Sequence, residues 1–486
     1  MLATFKAQTS ANIPSTSQST PELDVAIVGG GFSGAVLAVQ LLRRGPSLKI
    51  GVIDHGPMPG RGLAYSTQYN CHVLNVPAGN MSALEEDPGH FVKWARANCG
   101  PAVHAGSFVT RFSYGRYIGS LLEEAAKREG GNAIHWIQAK AVSCRRNEGY
   151  STVELKDGRE VSARAVVLAI GNFPPGNPKV SGLSGPTKRY FPFAWSPAAL
   201  ENLDLNGSVL LIGSGLTGVD LAIALQAKRF RGKVHIVSRH GLVPQRHEAT
   251  EQWPQFWNAD SPRNIRALMS LVRDQVRAAS ARGVNWRGVI NSLRPVTQAI
   301  WRSLPHEERK RFLRHARPYW EVHRHRVAPE VHNIISRLIA EGRLIIHAGR
   351  ITEYAESADC ADVVFRDRKN GNLQRLRVDR VINCTGSETD CRRVEDSLLA
   401  SLFLQGEVRP DPLFLGLDVD AKGSVLNFHG VPSGSLFAIG PVKKGGLWET
   451  TAVPEIRKQA AELADYLVQL LESGLREQGR PVEATA

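Results

Sequence analysis

The sequence predicts an α/β fold with two Rossmann-like domains, one inserted into the other. Three observations point there. A strand pattern followed by a glycine turn and a helix occurs twice, at LDVAIVGGGFSG (23–34) and GSVLLIGSGLTG (207–218). Strand-like runs ending in small residues and glycine close each region, VVLAIGN at 166–172 and VINCTGS at 381–387. A length of 486 residues exceeds what one hydrophobic core ordinarily serves, so two or three domains are expected.

Taken in order, residues 1–22 are rich in Ser, Thr, Pro and Ala without apolar periodicity and read as a disordered tail. LDVAIVG is a buried strand, Phe32–Arg44 a helix with Ala35, Leu37, Ala38, Leu41 and Leu42 inside, and LKIGVID the next strand. The stretch Gly56–Pro88 is rich in Gly, Pro and Asn and too long for a plain connection. Helices near 89–97 and 114–128 and short strands lead to RAVVLAIGN (164–172). GSVLLIG starts the second unit and GKVHIVSRHG supplies its second strand. Residues 262–342 are mostly helical, with Ile265, Leu268, Met269, Val272 and Val276 on one face. Strands return at LIIHAG, ITEYA, DVVFRD and RVINCTG, and a helix from Pro454 to Leu471 comes last. The first domain is therefore expected from 23–200 and 376–475, the inserted one from 201–375 with a helical insertion at about 262–342. Residues 476–486 read as a flexible tail.

Composition narrows the function classes. Hydrophobic residues make up 42% and charged residues 22%, with a mean hydropathy of −0.20, which excludes a disordered chain. No apolar run approaches the ~20 residues of a membrane span, so no membrane partner is expected. The six cysteines (71, 99, 144, 360, 384, 391) include no CxxC pair and no grouping with His. A disulfide scaffold, a zinc ribbon and a CxxC redox enzyme are disfavoured, and with no signal-peptide pattern a cytoplasmic location is expected. The net charge is +14, and residues 262–330 hold 15 Lys/Arg against 5 Asp/Glu. Nucleic acid is an unlikely partner because no recognition motif accompanies that charge. A solvated helical face or the border of an anionic cofactor are the other readings.

The two glycine turns carry the chemistry. In the first, Gly29, Gly31 and Gly34 surround Phe32 and Ser33, and Asp54 ends the next strand 25 residues after Gly29. The first glycine permits the tight turn, the second lets a pyrophosphate approach the backbone, and the third lets helix and strand pack closely. Asp54 is placed to accept hydrogen bonds from a ribose. In the second, Gly213, Gly215 and Gly218 surround Leu216 and Thr217, and the next strand ends at Ser238 and Arg239. A carboxylate there would repel a 2′-phosphate, whereas a guanidinium pairs with it bidentately, which points to NADPH. Two such folds in one chain imply one tightly held redox cofactor, FAD by fold-level analogy in the N-terminal unit, and one exchangeable electron donor. The fold class is thus α/β with two Rossmann-like dinucleotide-binding domains, the NADPH domain with its helical insertion interrupting the FAD domain.

Five segments carry a closer resemblance: GRGLAYS (60–66), HVLNVPAGNMS (72–82), SRHGLVP (238–244), FLRHARPYWEVHRHRVAP (312–329) and FAIGPVKKGGLWETTAVPEIR (437–457). With them the chain resembles two-dinucleotide-binding flavoproteins. More narrowly, it resembles bacterial FAD/NAD(P)-binding proteins related to the N-hydroxylating flavin monooxygenases of lysine and ornithine. The resemblance implies that Arg61, Gly62, Asn75, Pro77 and Met81 lie along the flavin side of the long loop, and that Gly440 returns the chain to the flavin. Pro441 departs from the Gly-Asp often found at that return, so the ribityl contact must come from elsewhere.

Further candidates remain open. Read as a strand, the run His323, Arg324, His325, Arg326 would put the two histidines on one face, but the arginines repel a cation and no metal is expected. An anion contact through Arg324 and Arg326, or a structural cluster, are the alternatives. Trp448 and Glu449 are candidate substrate-pocket residues. Leu63, Tyr65, Val73, Leu74, Val76, Pro77, Met81 and Leu84 could cover an isoalloxazine ring or simply pack the long loop. The expected function is an NADPH-dependent flavin monooxygenase acting on a small molecule. An NADPH-flavin reductase with another acceptor and a non-catalytic FAD-binding interaction protein are the alternatives. The oligomeric state is not legible.

Overall fold

Near-continuous apolar runs such as VAIV and VLLI suit strands covered on both faces, and they form the centres of two mainly parallel sheets. The computed structural model describes residues 22–477 except 57, 129–133 and 184, together with the side chains of these residues other than 128 and 474–477. The tails expected at 1–22 and 476–486 lie almost wholly outside the described residues. No helix among those described is long and apolar enough to cross a membrane.

The strands are β1 (Leu23–Val28), β2 (Ile50–Asp54), β3 (Ile134–Gln138), β4 (Ala141–Arg146), β5 (Ser151–Leu155), β6 (Glu160–Leu168), β7 (Tyr190–Phe191), β8 (Ser208–Ile212), β9 (Lys233–Ser238), β10 (Leu344–Glu356), β11 (Ala361–Asp367), β12 (Leu373–Val378), β13 (Arg380–Asn383), β14 (Ser424–Leu426) and β15 (Pro432–Ala438). The first sheet runs β14-β15-β6-β1-β2-β3, with β4 and β5 extending from β6. The second runs β12-β11-β10-β9-β8-β13-β7. In each, the strand that leads into a glycine turn is central: β1 pairs in parallel with β2 and β6, and β8 with β9 and β13.

The helices are α1 (Phe32–Arg44), α2 (Gly62–Tyr65), α3 (His90–Cys99), α4 (Arg111–Arg128), α5 (Leu216–Ala227), α6 (Ile265–Ala281), α7 (Trp286–Leu293), α8 (Thr297–Ser303), α9 (His306–Arg311), α10 (Arg317–Arg324), α11 (Pro329–Ala340), α12 (Ser397–Leu404), α13 (Lys444–Leu447) and α14 (Val453–Glu477). Helices α1, α4 and α14 share one core with β1, β2 and β6. Helices α5 and α11 share another with β8 and β9. Helices α6 to α11 lie between β9 and β10. Within them Asn264 caps α6 by accepting from Ala267 N, and Asn285 caps α7 by accepting from Arg287 N.

Three expectations are corrected here. The second sheet takes in β7 and β13, so the chain changes sheet before residue 190 and again after 383, not at 200 and 376. Strands that short are held by their neighbours rather than by their own pattern. LIIHAG and ITEYA form one strand, β10, which pairs in parallel with β9 at its start and antiparallel with β11 further on. The HRHR run is not a strand, since His323 and Arg324 end α10.

A buried ion pair joins the two halves. Arg111, at the start of α4, meets Asp220 of α5 in a bidentate pair at 2.8 and 2.9 Å, with side chains 11% and 7% exposed. The Asp220 backbone carbonyl lies 3.0 Å from His72 Nε2. Removing one partner of a buried pair strands the other charge, at a cost of about 3–5 kcal/mol. Asp220→Asn is therefore expected to lower unfolding free energy on that scale in urea titrations. Arg111→Met combined with Asp220→Leu is expected to cost less than Asp220→Asn alone.

Candidate functional site

The first glycine turn is built by close approach. Gly29 adopts φ +107°, and a Cβ there would collide with the Ala169 carbonyl. A Cβ on Gly34 would collide with the Gly29 carbonyl, so α1 can pack on β1 only with glycine at this place. Asp54, at the end of β2, accepts from Gly30 N and, at 2.6 Å, from Gly56 N, which fixes its carboxylate beside the turn. These features fit an FAD adenosine-diphosphate moiety: main-chain donors at the start of α1 and a carboxylate for the ribose. Arg61 and Gly62 come to this turn as well. Gly62 holds φ +49°, and its Cα lies only 3.4 Å from where a Gly31 Cβ would stand.

Gly440 arrives from the far end of the chain, with φ +82° and Ser33 Oγ where its Cβ would be. Its turn is locked from the side: Gly440 N donates to Gln459 Oε1 (3.2 Å) and Thr450 Oγ1 donates to Gly440 O (2.9 Å). Gln459 and Thr450, both buried, were not foreseen; they stand beside the position where Pro441 removes a donor. Two candidates contribute less than expected. Phe32 and Met81 are 8% and 3% exposed and pack in the core that α1 and α4 share. Leu74 and Leu84 are buried there too, and for these residues packing of the long loop is the reading that stands.

The second turn repeats the geometry, with Gly213 at φ +114° and a Gly218 Cβ clashing with the Gly213 carbonyl. Nothing lies within 4 Å of a Cβ on Gly215, so the ground before α5 is open. Ser238 Oγ accepts from Ser214 Oγ (2.8 Å) and from Gly241 N (3.0 Å), which shapes the bend that follows β9. Arg239 is exposed and makes no ion pair among the described residues. Burial, with Arg368 and Arg239 nearby, holds the His240 imidazole below its ordinary value. Arg368 thus joins Arg239 on a cationic rim suited to a 2′-phosphate. Leu216 packs on the core of this domain, while Thr217 opens onto a crevice shared with Leu63, Phe173, Trp195, Asn383 and Gly386. That crevice lies where both inter-sheet crossings and the second glycine turn meet.

The remaining candidates lie on the long loop, at the end of the helical insertion and in the C-terminal chain. Asn75 O lies 2.8 Å from His247 Nε2, and burial reinforced by Arg326 holds that imidazole at about 4. Pro77 opens a short turn at 78–80. Trp448 is 5% exposed, stacked on Trp301 at 5.1 Å and edge-on to Phe312 at 5.0 Å. It is a core residue rather than a pocket wall. Its φ of +62° and ψ of −67°, with Glu449 N donating to Leu447 O at 2.8 Å, define a γ-turn that is rare and strained. That turn drives Glu449 inward, where Trp320 Nε1 donates to it at 3.1 Å and Arg324 lies 3.6 Å away. Burial pushes the Glu449 carboxyl up, but Arg324, His325 and Trp320 outweigh it and hold it below its ordinary value. Arg324 also lies 3.5 Å from Glu455, which Arg294 meets at 3.1 Å. Arg326, 5% exposed, donates to Asn291. His323 and His325 part company: His323 Nδ1 meets Tyr319 O at 2.7 Å, while burial holds the His325 imidazole below its ordinary value.

With this geometry in view, similarity to known proteins is informative. Residues 26–173 match the family described as FAD-NAD(P)-binding. Among curated proteins, none matches the chain in sequence. The ornithine hydroxylase of Pseudomonas aeruginosa in its reduced form superposes with a TM-score of 0.62 at 18% identity, over 92% of this chain and 99% of that one. L-lysine 6-monooxygenase from Pseudomonas syringae gives 0.64 at 18% identity, over 92% and 100%. The FAD-bound cadaverine monooxygenase of Erwinia amylovora gives 0.63 at 14%, over 96% and 97%. The fold is that of the two-dinucleotide-binding flavoproteins. Its N-terminal unit is the part similar to the FAD-NAD(P)-binding family, over residues 26–173.

The rim around Arg239 yields a direct test. Arg239→Ala is expected to raise the KM for NADPH roughly 10- to 150-fold, the value of a charge-assisted pair, and to leave NADH use nearly unchanged. Steady-state oxidation of the two coenzymes measures the difference. Equal efficiencies in the unaltered protein would remove the assignment.

Proposed function

We propose that the chain is an FAD-containing, NADPH-dependent flavin monooxygenase acting on a small molecule. The observation that carries the reading is the pair of equivalent glycine turns, Gly29 at φ +107° and Gly213 at φ +114°, each leading from a central parallel strand into a helix N-terminus. Such termini favour phosphate. A bound flavin supplies hydride acceptance and oxygen activation.

The protein's own groups do the rest. Asp54 orients the adenosine ribose, and the first turn of α1 meets the pyrophosphate. Gly440, fixed by Gln459 and Thr450, lets the C-terminal chain pass close to Ser33 without a side chain in the way. The start of α5 takes the coenzyme's pyrophosphate, with Arg239 and Arg368 on its 2′-phosphate. The long loop, anchored by Leu74, Met81 and Leu84, keeps water from the reacting face, which limits wasteful peroxide release.

The fold also serves reductases. The thioredoxin reductase of T. acidophilum superposes at a TM-score of 0.51 and 14% identity over 93% of this chain and 99% of that one. A CxxC relay has no counterpart in this sequence, which favours the oxygen-using reading.

Two measurements test it. The purified protein is expected to be yellow with about one FAD per chain, and Asp54→Ala to weaken FAD binding by about 1–3 kcal/mol. A colourless protein that cannot be reconstituted would end the oxidoreductase reading. Flavin reduced by NADPH under nitrogen is expected to be reoxidised rapidly by air. Reduced flavin stable in air, but discharged by an organic acceptor, would replace the monooxygenase with a reductase.

A further inference from the structure

We infer that the substrate carries an anionic group, a carboxylate or a phosphate, received by a buried arginine cluster between the helical insertion and the loops around Asn75 and Glu449. This rests on the proposed oxidoreductase function and assigns its substrate class. Five guanidinium groups form the cluster: Arg246, Arg287, Arg294, Arg324 and Arg326. Burial lowers both Arg287 and Arg326, Arg326 to about 10, and repulsion from neighbouring arginines acts in the same direction on each.

The carboxylates on hand are too few. Glu248 meets Arg287 at 2.9 Å, Glu455 meets Arg294 at 3.1 Å, and Glu449 is within 3.6 Å of Arg324. Among the described residues, Arg246 and Arg326 have no carboxylate within ion-pair distance. The hydrogen-bonding pattern agrees. Buried nitrogens without a hydrogen-bond partner include Nε of Arg246, Arg324 and Arg326, and the Arg324 terminal nitrogen that faces Glu449 and Glu455 does so at ion-pair distance only. Arg324 and Arg326 are about nine-tenths buried or more, with 9% side-chain and 5% residue exposure. Arg326 and Arg246 are short of both charge and acceptors and Arg324 of acceptors, which is costly in a buried site, and an oxyanion meets both needs at once. The planar fork suits the two oxygens of a carboxylate or of a phosphate equally.

Position ties the cluster to the reaction site. His247, the residue after Arg246, contacts Asn75 O, and Gln298 Nε2 donates to Glu449 O at 2.8 Å. The chain carrying Glu449 is the one that Gly440 and Thr450 fasten beside Ser33 at the first glycine turn. An anion held by Arg324 and Arg326 therefore tethers a substrate beside the C-terminal chain that returns to the first glycine turn.

The test uses the FAD-loaded protein without turnover. Calorimetric titrations with glutarate, inorganic phosphate and cadaverine separate the end groups, since glutarate and cadaverine share their chain length and differ in charge. Glutarate or phosphate is expected to bind, cadaverine not, and the tighter of the two anions identifies the group. Arg326→Gln and, separately, the less buried Arg246→Gln are expected to weaken that anion on the order of 10-fold. Arg239→Ala is expected to leave it in place, which sets the site apart from the coenzyme's 2′-phosphate. Failure of both anions to bind, cadaverine binding as tightly, or anion binding lost only in Arg239→Ala would overturn the inference. Flavin content, measured on the same samples, reports independently on the proposed function.

Discussion

The buried pair Arg111–Asp220 is the constraint on which the relation between the two sheets depends. A coenzyme on the second glycine turn can deliver a hydride to a flavin on the first only if the two domains keep one orientation. Each partner sits on a helix that packs on its own sheet, so the bidentate geometry transmits rotation as well as distance. His72 and His247 add contacts from the long loop to α5 and to the start of the insertion. The loop is thereby clasped from both sides. That explains why so glycine- and proline-rich a segment keeps Leu74, Met81 and Leu84 in the core.

The basic segment 262–330 turns out to have two faces. Several charges pair locally on the solvent side, such as Arg277 with Asp274, Lys310 with Glu307 and Arg311 with Glu308. Exposed pairs of this kind contribute little. Arg287, Arg294, Arg324 and Arg326 instead turn inward: Arg294 and Arg324 meet Glu449 and Glu455 of the C-terminal chain, Arg287 meets Glu248 and Arg326 donates to Asn291. The strained γ-turn at Trp448 belongs to the same arrangement. The stacking of Trp448 on Trp301 and Phe312 holds the turn, and the turn brings Glu449 to Arg324.

Local features were legible in the sequence, and distant pairings were not. The two glycine turns could be read because each needs positive φ and close packing within a few residues of its own strand. Asp54 and Arg239 could be read by their spacing from those turns. The domain limits could not, because β7 and β13 are too short to show which sheet they join. HRHR reads as an alternating strand only if its neighbours are ignored; the preceding RPYWEV continues a helix into it. Arg111 and Asp220 lie 109 positions apart and belong to no motif, so no sequence pattern links them. Arg246 and Gln459 were missed for the same reason, although Arg246 stands only two residues beyond the SRHGLVP segment.

The order of strands in the first sheet has a consequence for synthesis. Strand β6 ends at Leu168, yet its parallel partner β15 does not begin until Pro432, after the whole second sheet. The second domain can close as soon as β13 has left the ribosome. The N-terminal sheet meanwhile waits with the Val166–Leu168 stretch of β6 uncovered beyond its pairing with β5, and such an edge invites pairing with another chain. Gly440 follows β15 by two residues, so the nascent protein completes the turn that meets Ser33 of the first glycine turn in the same event that seals this edge. Cofactor capture and protection against misassembly are therefore late and simultaneous, and a chain truncated before β15 would lose both.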